Sequence, residues 1–150
     1  MVRTCVRGQD NWGSGDFDAP RGIRRHKGID IVAHPGYEVI ACCVGDVSKI
    51  GFPYAQDDPD GFDNEDERRK FFLKAAMRYV EVMTPGKNRV RHFYVDPSVK
   101  VGDRIIQGRT LGTVQDIAAI YPGITPHYHF EVYDRNNRIV NPYHFLEDQI

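Results

Sequence analysis

This sequence has little of what a disulfide scaffold, a membrane span or a nucleic-acid groove requires. Among its 150 residues the cysteines are three, Cys5, Cys42 and Cys43. An odd number with two adjacent is not a disulfide framework, and all three read as small buried or half-buried residues in a reducing compartment. On a strand Cys42 and Cys43 would face opposite ways, so they do not form a joint metal site. There is no run of about 18 apolar residues, so no transmembrane segment is expected. The opening stretch "MVRTCVRGQDNWGSG" has arginines but no apolar core, so no secretory signal is expected. Charge of one sign is also lacking. Lysine and arginine number 20 against 21 aspartates and glutamates, which excludes a global basic field and leaves no nucleic-acid partner expected.

The sequence does contain short β-rich runs punctuated by Gly and Pro. Segments 28–33, 37–43 and 45–52 read as strands separated by "HPG" and a glycine. Segments 78–84 and 89–96 flank the turn "PGKN" and predict a hairpin. Segment 101–114 reads as tightly turned strands, and 127–134 with 139–142 as a last hairpin. Short helical turns fit "QDIAAIY" and "PYHFLED". "HPGYEVIACCVGDV" and "KVGDRIIQGRTLGTV" echo one another as two strand–turn units. The length predicts one domain over 1–150, mainly β and antiparallel. Residues 53–77 interrupt it as an acidic loop plus one short helix, which Asp63 or Asn64 would cap. An EF-hand register through the loop puts Gln56, Asp58, Asp60 and Glu67 at the first, third, fifth and twelfth positions. Gln56 and the absence of a preceding helix weigh against calcium, and the loop reads as a solvated segment. If it flanks a groove, it would favour cationic substrates.

Two histidine clusters carry the chemistry. The stretch "PHYHFEV" (126–132) places His127 and His129 two apart, hence on one strand face. The stretch "RRHKGID" (24–30) places His26 four residues before Asp30. A short-range nitrogen-plus-carboxylate pair with a distant third ligand is a common zinc layout, and a catalytic zinc leaves one position for water. Either His127 or His129 can supply the third ligand. Glu131 follows on the same face, either as an outer partner of a ligand or as a solvated charge. Trp12 lines a groove or packs as an ordinary aromatic. His34 and His144 read as surface or structural.

These segments, with "GSGDFDAPRGIRRHKGIDIVAHPGYEVIACCVGDVSKIG" in the N-terminal half and "VKVGDRIIQGRTLGTV", "PGITPHYHFEV" and "VNP" in the C-terminal half, resemble the lysostaphin-type zinc endopeptidases. The match carries their H-x-x-x-D and H-x-H motifs in order and spans about Gly13 to Pro142. The resemblance implies an antiparallel sheet or sandwich of the duplicated hybrid motif type with a narrow groove. It implies Zn²⁺ held by His26, Asp30 and His129, with His127 beside the metal in general-base catalysis or transition-state stabilisation. It also implies peptidoglycan peptides, stem or cross-bridge, as substrate, and the lack of an expected secretory signal fits a phage-associated or other non-classical route to them. The sequence departs from the family where another catalytic histidine usually precedes the "V-x-x-G-D" segment. Tyr94 stands there, with His92 two residues earlier, and either side chain is a candidate for the role. A catalytically impaired zinc domain that binds cell wall or a protein partner is therefore the alternative. A phosphocarrier with paired histidines is a third reading, disfavoured because it has no need of Asp30.

Overall fold

Alternating apolar residues and tight turns build an antiparallel sheet on which everything else is arranged. The computed structural model describes residues 6–57 and 61–148; Cys5, Asp58 and Asp60 lie outside the described residues. The main sheet comprises β3 (Ile29–Val32), β5 (Gly45–Gly51), β6 (Tyr79–Met83), β7 (Arg89–Phe93), β9 (Arg104–Ile105), β11 (His127–Tyr133) and β12 (Ile139–Val140). Its order is β12-β11-β7-β6-β5-β9, with β3 also paired to β11. A second sheet runs β4-β10-β8, from β4 (Glu38–Ile40), β8 (Val95–Pro97) and β10 (Thr110–Val114). A small hairpin joins β1 (Pro20–Arg21) to β2 (Arg24–Arg25). The fold is mainly β and antiparallel, as the sequence pattern predicts.

The two echoing segments pair crosswise, β4 with β10 and β5 with β9. Between the sheets lies the core. Val47, Val80, Val90, Phe130 and Val132 come from one side, and Val39, Val95, Leu111 and Val114 from the other. Burying such side chains contributes ~1.5–3 kcal/mol each.

The insertion contains α1 (Glu65–Ala75), capped by Asn64, whose side chain accepts from the Glu67 N–H. Glu65, Asp66 and Glu67 fill its first turn and Lys74 its last, matching the helix dipole. The helical turns near 117 and 142 are present as a 3₁₀ turn (Ile117–Ala119) and α2 (Pro142–Asp148). No helix among the described residues is long and apolar enough to cross a membrane.

Two local expectations are corrected. The β6–β7 hairpin ends at Phe93 rather than near 96, because Tyr94 turns the chain at φ 67° and β8 leaves for the second sheet. Cys42 and Cys43 lie beyond β4 rather than on a strand, the first half-buried and the second buried. The neighbouring Cys43 and burial push the Cys42 thiol up.

Candidate metal centre

Strand alternation separates β11 into two faces. Phe130 and Val132 enter the core, so His127, His129 and Glu131 share the other face. In the antiparallel pairing of β11 with β3, His129 lies opposite Asp30, and directly opposed side chains share a face. His26 follows β2, where its N–H donates to the Ala19 carbonyl and its carbonyl accepts from the Asp18 N–H. Gly28 lets this segment run close to β11. A Cβ there would meet the Phe130 carbonyl oxygen at 2.1 Å.

Three ligand atoms converge. His26 Nε2 is 3.1 Å from His129 Nδ1, His129 Nδ1 is 2.8 Å from Asp30 Oδ1, and His26 Nε2 is 3.3 Å from Asp30 Oδ1. Ligands ~2.0–2.1 Å from a tetrahedral zinc are about 3.3 Å apart, so the donor set fits such an ion with small adjustments.

Each ligand also has an outer partner. His26 Nδ1 donates to the Asp16 carbonyl at 2.9 Å, which leaves Nε2 bare toward the centre. His129 Nε2 donates to Glu131 Oε1 at 2.8 Å, which leaves Nδ1 facing inward. The Glu131 carboxylate is held in turn by the Tyr133 hydroxyl at 2.9 Å. Asp30 Oδ2 accepts from Arg7 Nε at 3.1 Å. His26, Asp30 and His129 form a group able to hold a metal ion.

The electrostatics follow from burial against pairing. Burial alone would raise Asp30, but the adjacent imidazoles of His129 and His26 hold it well below the usual carboxylate range in the metal-free site. Burial alone would lower His129, but Asp30 and Glu131 outweigh it and hold the metal-free imidazole up at about 9. Glu131 is depressed despite its burial, through His129 and Tyr133.

His127 stands beside this group without joining the convergence. Its Nδ1 donates to the Thr125 carbonyl at 2.7 Å, and its Nε2 is 3.5 Å from Asp30 Oδ2. Tyr94 meets it edge-on, with ring centroids 5.9 Å apart. The Tyr94 hydroxyl is 3.5 Å from that of Tyr54, which bonds Tyr121 at 3.0 Å. Burial is the main cause that pushes the Tyr94 hydroxyl up, so it stays protonated at neutral pH. These groups line one cavity of about 620 Å³.

His92 is not part of it. It lies opposite Phe130 and Val80 on the core face of the sheet, is 1% exposed, and does not line the cavity. The expectation that His92 shares a face with the site is corrected by the turn at Tyr94, which aims only the tyrosine into the pocket. Trp12 does line the cavity, its Nε1 donating to the Pro122 carbonyl at 2.9 Å.

Sequence reasoning missed Arg7, Tyr54 and Tyr121. Arg7 arrives through an irregular segment with a single β-bridge, Val6 to Ile31, and the two tyrosines lie in loops. None of the three sits in a motif, so no spacing could have pointed to them.

The catalytic domain of lysostaphin from Staphylococcus simulans superposes over 98% of both chains with a TM-score of 0.62, at 19% identity. The fold is that of lysostaphin. A mutant form of the catalytic domain of the prophage-encoded M23 protein EnpA from Enterococcus faecalis shares this lysostaphin-type fold, over 87% of each chain (TM-score 0.57, 18% identity). In sequence, the chain is similar to leukocyte cell-derived chemotaxin-2 of Mus musculus, 29% identical over 91% of this chain and 76% of that one. The Bos taurus protein of the same name is 27% identical over 93% and 78%. No family model matches the sequence.

Proposed function

We propose that the chain is a zinc-dependent endopeptidase acting on peptides of bacterial peptidoglycan. The observation that carries this reading is that His26, Asp30 and His129 converge on one point while His127 and Tyr94 face the same cavity. The fit of the donor set and its outer partners supports zinc, and the lysostaphin-type fold supports the substrate.

His26 Nε2, Asp30 Oδ1 and His129 Nδ1 would hold the ion. Zinc so held supplies Lewis acidity, lowering the pKa of water toward ~7 and polarising a peptide carbonyl. His127 keeps its proton on Nδ1, against Thr125, so its Nε2 lone pair is the acceptor that takes a proton from water and returns it to the leaving amine. The Tyr94 hydroxyl donates a hydrogen bond to the carbonyl oxygen as negative charge grows there, the work a histidine performs in the family's usual pattern. Glu131 keeps His129 in the right tautomer, and Arg7 holds Asp30 in place.

Metal content and release of peptidoglycan fragments, before and after chelation and zinc restoration, test this. One zinc per chain with chelator-sensitive release is expected. His129→Ala should lose zinc, whereas His127→Ala should keep zinc and lose turnover. Full activity in His127→Ala would overturn its assignment. The second reading is a zinc domain that binds cell wall or a protein partner without hydrolysis. Tyr94 and the similarity to proteins named as chemotaxins favour it. Stoichiometric zinc with no release from several wall types would select it.

A further inference from the structure

The acidic insertion, expected to tune this groove toward cations, does not line it, and the cavity wall carries the opposite charge. Among the described residues none of the acids at 57 and 61–67 lines the cavity. Asp66 pairs with Arg69 and Lys70, Glu65 with Arg68, and Glu67 belongs to the cap of α1. The cavity's own carboxylates, Asp30 and Glu131, are both taken by His129.

The other charged side chains of the wall are all basic, and the β1–β2 hairpin supplies most of them. Arg21 is tied to the carbonyls of Ser14 and Pro20. Among the described residues the side chains of Arg24 and Lys27 form no ion pair or hydrogen bond, and that of Arg25 reaches only the Asp18 carbonyl, at 3.2 Å. All three are exposed, line the cavity and flank His26. Behind the cavity's tyrosines, outside its lining, Lys74 lies over the rings of Tyr54 and Tyr121, 5.6 and 5.5 Å from their centroids. A chain of net charge −1 has therefore gathered unpaired cations at one concavity, which focuses positive potential there.

We propose that the groove selects an anionic peptide, one whose residues next to the scissile bond carry carboxylates that Arg24, Arg25 and Lys27 bind. This rests on the peptidase reading and names its substrate class. Guanidinium groups match carboxylates in paired hydrogen bonds. The concave shape and the aromatic walls from Trp12, Tyr54 and Phe93 suit a short extended peptide, whereas a nucleic-acid duplex is read by a helix or strand pair that projects into its groove.

The test is fluorescence anisotropy on the zinc-loaded protein with two labelled octapeptides, one carrying two glutamates and the other two glutamines at the same positions. The glutamate peptide should bind about tenfold tighter, from several exposed pairs of modest worth, and the preference should shrink at high salt. The triple variant Arg24→Gln/Arg25→Gln/Lys27→Gln should lose most of that preference. Arg24→Glu/Arg25→Glu should transfer it to a dilysine peptide. Equal affinity for the two peptides in the unmodified protein, or a preference that survives the triple variant, overturns the proposal. Anisotropy on mixing reads binding, and chromatography of the same mixtures after incubation reads cleavage, so the two readings fail separately. Charge preference without cleavage of either peptide removes the peptidase reading and leaves anionic-peptide binding, and cleavage of both peptides at equal rates and affinities removes only the charge selection.

Discussion

In the proposed mechanism Tyr94 takes the place of a histidine. It adopts φ 67° without being glycine, a conformation that costs roughly 1–2 kcal/mol in a bulky residue. Its own N–H bonds the Arg78 carbonyl and its carbonyl accepts from Gln115, which hold the turn against that strain. Tyr94→Phe keeps the ring and backbone and removes one donor. It should lower kcat by roughly 10²–10³-fold with zinc stoichiometry unchanged, as steady-state kinetics with metal analysis would read. An unchanged kcat would remove the hydroxyl from the mechanism. Glu131→Gln keeps the shape but weakens the acceptor for His129 Nε2, and zinc affinity should fall by roughly 10–100-fold in competition with a chromogenic chelator. If affinity is unaltered, Glu131 is a bystander to the metal.

Among the elements, the pairing of β3 with β11 assembles the centre. It joins His26 and Asp30 to a histidine 103 and 99 residues away. Gly28 sets the approach, since a side chain there would strike the backbone of Phe130. Gly28→Ala should therefore push the strands apart at the ligands. The expected result is a loss of zinc affinity together with a lower Tm, seen by metal titration and thermal melting. A variant with full zinc affinity would show that the close approach is dispensable. The opening stretch of the chain closes the site from the other side, through Arg7 against Asp30, Asp10 and the Gly13 carbonyl.

For the whole molecule, His92 links the core to pH. Complete burial, only partly offset by its contact with the Val80 carbonyl, lowers the imidazole from 6.5 to about 4. Between those values the unfolded chain binds the proton and the folded chain does not, so stability rises with pH across that window. The contribution is complete above about pH 6.5 and is lost as pH falls toward 4, for a total of about 3 kcal/mol. Urea unfolding of the metal-free protein should show this loss between pH 7 and 4.5, and His92→Leu should flatten that part of the slope. An equal slope in the variant would assign the acid sensitivity to other groups.

The fold class, the hairpins, a helix capped at Asp63 or Asn64 and the histidine–aspartate motifs were all legible in the sequence, because each depends on local periodicity or turn chemistry; the structure chose Asn64 as the cap. Alternation alone already put His127, His129 and Glu131 on one face. Choosing between Tyr94 and His92 was beyond it. Two residues apart reads as one face only while the strand continues, and a single backbone turn at Tyr94, held by Arg78 and Gln115, sends the histidine into the core and the tyrosine into the cavity. The sign of the cavity wall was hidden for a related reason. The acidic run is conspicuous in the sequence, but where a charge acts depends on which loop folds over the groove, and the described part of that run is occupied with its own helix. Sequence spacing determined which residues could meet a metal, and tertiary packing decided which neighbours line the cavity beside them, because those contacts join segments far apart along the chain.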